Sequence, residues 1–186
     1  MLWLTPVEGS SSKASRVPLK HYQIIQTNKQ FQPHILVIPV GSIVDFPNLD
    51  PFFHNVFSLF NGRRFDLGLY EGGTSRSVHF DRPGVSFVFC DIHPEMSAVI
   101  VSVPTPDFAI SAPDGSFLIH NIETGAYDLH LWTIGSGDNL SSAQVHRVTV
   151  GPFNTDLGSY TVQSSPLGPH KNKFGKDYTL QRPQQY

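Results

Sequence analysis

The sequence predicts an all-β protein with room for one large or two small folded units, and three observations support this class. Charged residues make up only 15% of the 186 residues, below the ~25% of an ordinary globular chain. Gly and Pro contribute 15 residues each, which favours strands and turns over long helices. From His21 onward, short apolar runs recur at intervals of about ten residues, the spacing of a sandwich or barrel.

The first group of predicted strands is rich in Val, Ile and Phe, which suit a half-buried pleated surface. Prolines such as Pro39 and Pro47 lie at their ends, where a missing backbone donor does not weaken the ladder. The predicted strands are His34–Ile38, Ser42–Phe46, Asn55–Phe60, Arg76–Phe80, Val85–Cys90 and Ala98–Val103.

A second, smaller β unit is predicted after the two prolines of Pro104–Pro106 interrupt the pattern. Alternation near its centre places Tyr127, Leu129 and Leu131 on one face, so we expect that face to be buried. The predicted strands of this unit are Phe108–Ser111, Ser116–His120, Ala126–Trp132 and Gln144–Val150.

The remaining segments are polar. Ser10–Ser15 has the composition of a linker or loop, and beyond Tyr160 the apolar content is too low to offset the entropy of ordering, which predicts a mobile tail. The opening Met1–Pro6 is too short for the apolar core of a secretory signal and lacks its basic lead-in, so we identify no signal peptide.

The charge balance disfavours two classes of partner. Thirteen Lys and Arg against 15 Asp and Glu give a net charge of −2, without the basic excess of a nucleic-acid-binding chain. The longest apolar stretches, such as Ile35–Val44, fall well short of the roughly 18 residues of a membrane span. We therefore expect neither nucleic acid nor a membrane span. The single cysteine, Cys90, cannot form an internal disulfide.

The most informative tract is Phe89–Met96, which follows a predicted apolar strand. Cys90, His93 and Met96 occur in it at three-residue intervals, and all three side chains are potential metal ligands. A tight loop can turn them towards one centre, whereas a continuing strand would send Cys90 and His93 to opposite faces. His54 is the best-placed fourth donor by sequence context. Two His, one Cys and a weak axial Met make the blue-copper ligand set.

Other interpretations of these residues stay open at this point. A free cysteine is often just a small buried hydrophobe. Zinc accepts Cys and His but seldom a thioether, which makes it the nearest chemical rival to copper. Nucleophilic catalysis by Cys and His needs a third, orienting group that the sequence does not indicate. A second metal site where His120 and His130 meet across a hairpin is a further hypothesis.

The ligand tract and several earlier segments resemble, in order and spacing, the cupredoxins, the family of plastocyanin and amicyanin. The resemblance covers His21 to Val103 and is most specific at the Cys-x2-His-x2-Met loop, which is similar to that of amicyanin. Two departures are Ser97-Ala98 after the Met and a longer approach to His54 over Leu49–Phe53. The segments that carry the resemblance are Phe31–Pro33, Val40-Gly41, Val44–Asn48, His54–Val56 and Pro83–Met96.

The resemblance implies a Greek-key sandwich over residues 21–104 that holds one copper ion and transfers single electrons, with no substrate transformed. It implies four copper ligands, Asn55 and Asp91 as supporting residues beside them, and transient redox proteins as partners. We expect an apolar patch for docking and electron exchange around the histidine of the ligand loop. The implied ligands are His54, Cys90, His93 and Met96, and the patch is Phe52, Phe53 and Pro94.

More closely, the chain resembles bacterial plastocyanin-like proteins associated with methylamine utilisation, in which a cupredoxin accompanies a carboxypeptidase-regulatory-like β sandwich. This implies a small immunoglobulin- or transthyretin-like sandwich from residues 1–9 plus 105–152, a flexible tail over 153–186, and a periplasmic or secreted location. Two alternatives are a copper storage or delivery protein, which exchanges metal readily, and a metal-free binding module built on the second sandwich.

Overall fold

A computed structural model describes residues 1–7, 20–59, 62–165 and 171–177. Its regular structure in these ranges consists of strands and one 3-10 turn at Leu140–Ser142, with no α-helix, so the predicted all-β class is confirmed. The strands are β1 Leu2–Pro6, β2 His21–Gln23, β3 Ile25–Thr27, β4 Gln30–Gln32, β5 Ile35–Pro39, β6 Ser42–Pro47, β7 His54–Ser58, β8 Phe65–Tyr70, β9 Ser75–Phe80, β10 Gly84–Phe89, β11 Ser97–Val103, β12 Phe108–Ala109, β13 Gly125–Leu131 and β14 Gln144–Val150.

The central part of the chain forms a two-layer sandwich. One layer is a five-stranded sheet in the order β5-β11-β10-β7-β8, and the other is a three-stranded sheet in the order β2-β6-β9. Strands β3 and β4 form a separate two-stranded ladder. Alternation along the strands sends Val44 and Phe46 of β6 and Val88 of β10 into a shared core, together with Cys90 and Met96. The candidate ligands therefore lie at one margin of this core.

A four-stranded sheet in the order β12-β1-β13-β14, named the small sheet because it belongs to the smaller predicted β unit, joins the start of the chain to its second half. Strand β1 pairs antiparallel with β13 over its whole length, from Leu2 opposite Leu131 to Pro6 opposite Tyr127. Tyr127, Leu129 and Leu131 of β13 share one buried cluster with Leu4, as the alternation predicts. The division into domains at 21–104 and 105–152 stays a prediction.

The five-stranded sheet is buried on both faces along its central strands β7, β10 and β11, whereas its edge strand β8 exposes Asp66 and Leu69. Its second face packs against the four-stranded sheet through a cluster that contains Phe57, Phe87 and Val101 on one side and Trp3 and Trp132 on the other. Both tryptophans are almost completely buried, at 2% and 1% exposure. The two sheets are therefore joined by an apolar interface rather than by surface contacts.

Six predicted strands of the first group and two of the second fall on observed strands within one or two residues, and Phe108–Ser111 shortens to Phe108–Ala109. The prediction of a strand at Ser116–His120 is wrong, because this segment has no ladder partner among the described residues. Its Phe117 and Ile119 side chains instead pack against the buried cluster of the small sheet.

Several predictions fall partly on residues that the structure does not describe. The segment Ser10–Ser15 lies outside the described residues, as do Phe60 and residues 166–170 and 178–186 of the tail. The described parts of the tail, 153–165 and 171–177, contain no strand. Within the described ranges, no helix has the length and apolarity to span a bilayer.

Candidate metal centre

The loop between β10 and β11 carries three of the candidate ligands. Two backbone hydrogen bonds close it tightly: Met96 N–H donates to the His93 carbonyl at 3.1 Å, and Cys90 N–H donates to the Met96 carbonyl at 3.3 Å. His54 opens β7, the neighbour of β10 in the five-stranded sheet, where Phe57 lies opposite Phe89. The sheet therefore delivers His54 and the loop to the same end of the sandwich.

Three donor atoms converge there. His54 Nδ1 lies 3.9 Å from Cys90 Sγ, His93 Nδ1 lies 3.6 Å from the same sulfur, and the two Nδ1 atoms are 3.1 Å apart. Among the described residues, these side chains form the only group of three or more His, Cys, Asp or Glu residues with spacing suited to a metal ion. His54 and Cys90 are fully buried, and His93 is half-buried.

These distances fit a bound ion. Zinc binds about 2.0 Å from an imidazole nitrogen and about 2.3 Å from a thiolate sulfur. In a trigonal set, an ion with these bond lengths would hold the nitrogen and sulfur atoms roughly 3.7 Å apart. The observed separations of 3.6 and 3.9 Å between sulfur and nitrogen bracket that value. The three side chains could therefore hold one ion without rearrangement of the backbone.

The surroundings of Cys90 prepare its sulfur for this role. Burial raises the pKa of the thiol, while the backbone N–H groups of Asn55, Ile92 and His93 face the sulfur and act in the opposite direction. Such donors stabilise a thiolate once a cation neutralises its charge. Burial, followed by the proximity of His54, lowers the pKa of His93, which favours the neutral imidazole that a metal requires.

Met96 is buried beside Cys90 in the sandwich core, so its thioether belongs to the same end of the fold as the three donors. Asn55 follows His54 on β7, and its side-chain amide donates to Asp66 at 2.7 Å. Asp91 accepts the backbone N–H of Lys173 at 3.1 Å, so the described part of the tail contacts the ligand loop.

Of the three predicted patch residues, Phe52 contacts two candidate ligands. Phe52 contacts His54 edge-on, with ring centroids 5.2 Å apart, and lies 5.8 Å from the His93 ring. The ammonium of Lys29 lies over the Phe52 ring, 5.6 Å from its centroid. Phe53 is 55% exposed, and Pro94 is exposed next to His93.

Sequence reasoning missed Asp50, which lies four residues before His54 in the long approach to β7. The His54 Nε2–H donates to Asp50 Oδ2 at 2.8 Å, and the backbone N–H groups of Asn28 and Lys29 donate to the same carboxylate at 2.7 and 3.0 Å. Burial alone would raise the pKa of Asp50, but these three donors outweigh it and lower the pKa. The only signal in the sequence is the short spacing to His54.

The hypothesis of a second metal site at His120 and His130 finds no support in the described residues. His130 forms a 2.8 Å hydrogen bond between Nε2 and the Thr5 hydroxyl and stacks on Trp3 at 4.8 Å. No group of three or more His, Cys, Asp or Glu side chains suited to a metal surrounds it in the part of the chain that the structure describes.

No protein-family model and no curated protein matches this sequence. Among solved structures, the chain is similar to a copper-containing nitrite reductase (NirK) from Thermus scotoductus SA-01, with 24% identity, a TM-score of 0.42, and coverage of 53% of this chain and 25% of the reductase. The chain thus spans about a quarter of the reductase's length.

Two smaller proteins are also similar. A purple cupredoxin from Nitrosopumilus maritimus is 27% identical over 44% of this chain and 98% of its own, with a TM-score of 0.39. A reduced mutant of amicyanin is 20% identical over 54% of this chain and 99% of its own, with a TM-score of 0.43. Cupredoxins, the family that the sequence resembles, are thus among the similar structures. All three TM-scores lie below 0.5, and the evidence for metal binding is the convergence of this chain's own His54, Cys90 and His93 side chains.

Proposed function

We propose that the chain binds one copper ion at His54, Cys90 and His93, with Met96 as a weak axial ligand, and carries single electrons between redox proteins. The observation that supports this most directly is the convergence of two imidazole nitrogens on one thiol sulfur within 4 Å. Two His and one Cys with an axial Met suit a blue-copper electron-transfer site, and copper supplies the one-electron redox change.

The scaffold around the site suits electron transfer. His54 begins β7 and Cys90 directly follows β10, and these neighbouring strands are buried on both faces, which limits movement of the ligands between two redox states. The sandwich core around Cys90 excludes water from the sulfur side, and this exclusion tunes the reduction potential.

The half-buried His93 ring is the proposed edge for electron exchange. Phe52 lies beside this ring, Phe53 and Pro94 add exposed apolar surface next to Phe52 and His93 in the sequence, and Lys29 adds a positive charge beside Phe52. Transient redox encounters use small interfaces of this kind. We expect redox proteins as partners, no substrate transformation, and a location in the periplasm or outside the cell.

The test is metal loading of the purified protein followed by visible and paramagnetic-resonance spectroscopy. We expect one copper per chain and an intense blue Cu(II) form that bleaches on reduction. Cys90→Ser should lose the colour while the far-UV circular dichroism stays unchanged, because the serine hydroxyl fills the same site without a soft thiolate.

Four results would overturn the proposal or part of it. A colourless protein after complete Cu(II) loading removes the electron-transfer role, and tighter binding of zinc than of copper assigns the group to a zinc site. Rapid loss of Cu(I) to a competing chelator would favour storage or delivery over electron transfer. Turnover of a small-molecule substrate such as nitrite by the loaded chain would make it an enzyme.

A further inference from the structure

The carboxylate of Asp50 lies directly behind His54, on the side of the imidazole away from Cys90. Its side chain is only 7% exposed, and that of His54 is completely buried. In the part of the chain that the structure describes, the other donors to this carboxylate are the backbone N–H groups of Asn28 and Lys29. A buried charge of this kind is retained only where it is paired.

We infer that Asp50 is a positioning residue of the metal centre, whose carboxylate selects the nitrogen of His54 that faces the metal and adds a fixed negative charge that favours the oxidised ion. This inference rests on the proposed copper site. Its first half, the choice of nitrogen, is testable without metal.

The choice of nitrogen follows from hydrogen-bond chemistry. An ionised carboxylate only accepts hydrogen bonds, so the 2.8 Å contact requires a proton on His54 Nε2. A neutral imidazole with its proton on Nε2 has its lone pair on Nδ1, the atom that faces Cys90 Sγ and His93 Nδ1. In the metal-free protein, His93 Nδ1–H then donates to His54 Nδ1 across the 3.1 Å gap.

The position of Asp50 is fixed by its own loop. Its backbone N–H donates to Asn48 Oδ1 at 3.1 Å, and Asn48 in turn donates to the Phe52 carbonyl at 2.8 Å, which holds the approach to His54 in one compact turn. On the other side, the N–H groups of Asn28 and Lys29 hold the carboxylate oxygens. The carboxylate is therefore placed before any metal binds.

The charge matters because Cu(II) is more strongly stabilised by a nearby anion than Cu(I). A carboxylate that accepts from a metal-bound imidazole makes the ligand more basic, and loss of such a partner typically lowers metal affinity about 10–100-fold. If only Cu(II) affinity falls, each tenfold loss raises the reduction potential by about 59 mV.

The experiment compares the full chain with Asp50→Asn and Asp50→Glu. We expect Asp50→Asn to stay blue, bind Cu(II) at least about tenfold more weakly with little change for Cu(I), and show the corresponding rise in potential. Asp50→Glu should recover part of the loss, because it restores the charge. The matched control is Asp45→Asn, which removes a carboxylate from a surface imidazole, His21 Nδ1 at 3.0 Å, and should leave the potential unchanged.

A nitrogen-15 NMR measurement of His54 in the metal-free protein separates the inference from the copper proposal. The proton should lie on Nε2 in the wild type, and the Asp50→Asn variant should show a mixture of tautomers. A wild-type proton on Nδ1 overturns the inference even if Asp50→Asn does not fold. A blue wild type whose potential and Cu(II) affinity are unmoved by Asp50→Asn also overturns it. A colourless wild type with the Nε2 tautomer removes the copper function but supports the assignment of the nitrogen.

Discussion

At the scale of single residues, the place of Asp50 depends on a neighbouring glycine. A Cβ atom added to Gly72 would lie 2.2 Å from the Asp50 carbonyl oxygen, far inside van der Waals contact. The next residue, Gly73, has a φ of +78°, but a Cβ there would meet nothing within 4 Å. The two glycines are therefore required for different reasons: close approach at Gly72 and backbone conformation at Gly73.

This difference predicts that alanine substitutions at the two glycines affect different properties of the protein. Gly72→Ala should push the Asp50 loop away from His54, so that Cu(II) affinity falls about tenfold and the His54 tautomer becomes mixed. Gly73→Ala should cost about 1–2 kcal/mol of stability through its left-handed backbone and leave both readouts unchanged. Metal titration, nitrogen-15 NMR and urea unfolding measure the three quantities. An equal effect of the two substitutions on the tautomer would contradict the packing argument.

At the scale of secondary structure, the strands that sequence reasoning found are those with branched and aromatic residues on a buried face. Strands β2, β3 and β4 were missed because they are three residues long and largely polar on the outside, as in His21–Gln23 and Gln30–Gln32. Strand β8, Phe65–Tyr70, was missed because Asp66 and Gly68 interrupt the run of branched and aromatic residues that marks the other strands. Apolar periodicity reports burial and not the presence of a ladder partner, which explains the wrong strand at Ser116–His120.

Part of the candidate site could likewise be predicted from the sequence, and part of it could not. Cys90, His93 and Met96 were predictable because one short loop holds them, and local spacing is visible in the sequence. Asp50 was not, because its contact with His54 depends on how the loop from Asn48 folds back against the turn between β3 and β4. Contacts that depend on long-range packing leave no pattern in a single sequence.

Histidine 130 gives the small sheet a predicted pH dependence. The ring joins β13 to β1 through its hydrogen bond to Thr5 and its stacking on Trp3. Burial lowers the pKa of His130, and nearby Asp128 opposes this only in part. The unfolded chain therefore takes up a proton at higher pH than the folded protein. The contribution of the neutral His130 ring to stability is complete above the ordinary histidine pKa of about 6.5, and it is lost as the pH falls through the lowered pKa of the folded protein.

The measurement is the free energy of unfolding in urea between about pH 7.5 and pH 5. His130→Gln should lose part of the decline that the wild type shows over this range, because it removes the group that charges on unfolding. The control is His79→Gln, at an exposed position of β9, which should retain the wild-type pH dependence. A parallel curve for His130→Gln and wild type would rule out the role of His130.

At the scale of the whole molecule, the sheet that carries the candidate ligands lies between two apolar clusters. One cluster is the sandwich core around Cys90, and the other joins Phe57 and Phe87 to Trp3 of β1 and to Trp132, which directly follows β13. Since β10 contributes to both clusters, through Val88 on one face and Phe87 on the other, the small sheet contributes to the stability of the strand that ends at the metal loop.

This arrangement predicts that the sandwich and the small sheet unfold together. A substitution that weakens the interface between them should therefore also destabilise the candidate metal centre. Trp132 is 1% exposed, and Trp132→Ala should cost about 3–5 kcal/mol, which lowers the melting temperature of a domain of this size by about 6–20 °C. In the copper-loaded protein, loss of the visible band and loss of circular dichroism should shift by the same amount, because one cooperative unit holds both. Phe153→Ala is the control, since Phe153 is 87% exposed and its loss should leave both midpoints within about 1 °C of the wild type. If Trp132→Ala instead produces two transitions, with the visible band melting at the wild-type temperature, the small sheet folds independently and the apolar interface does not support the metal loop.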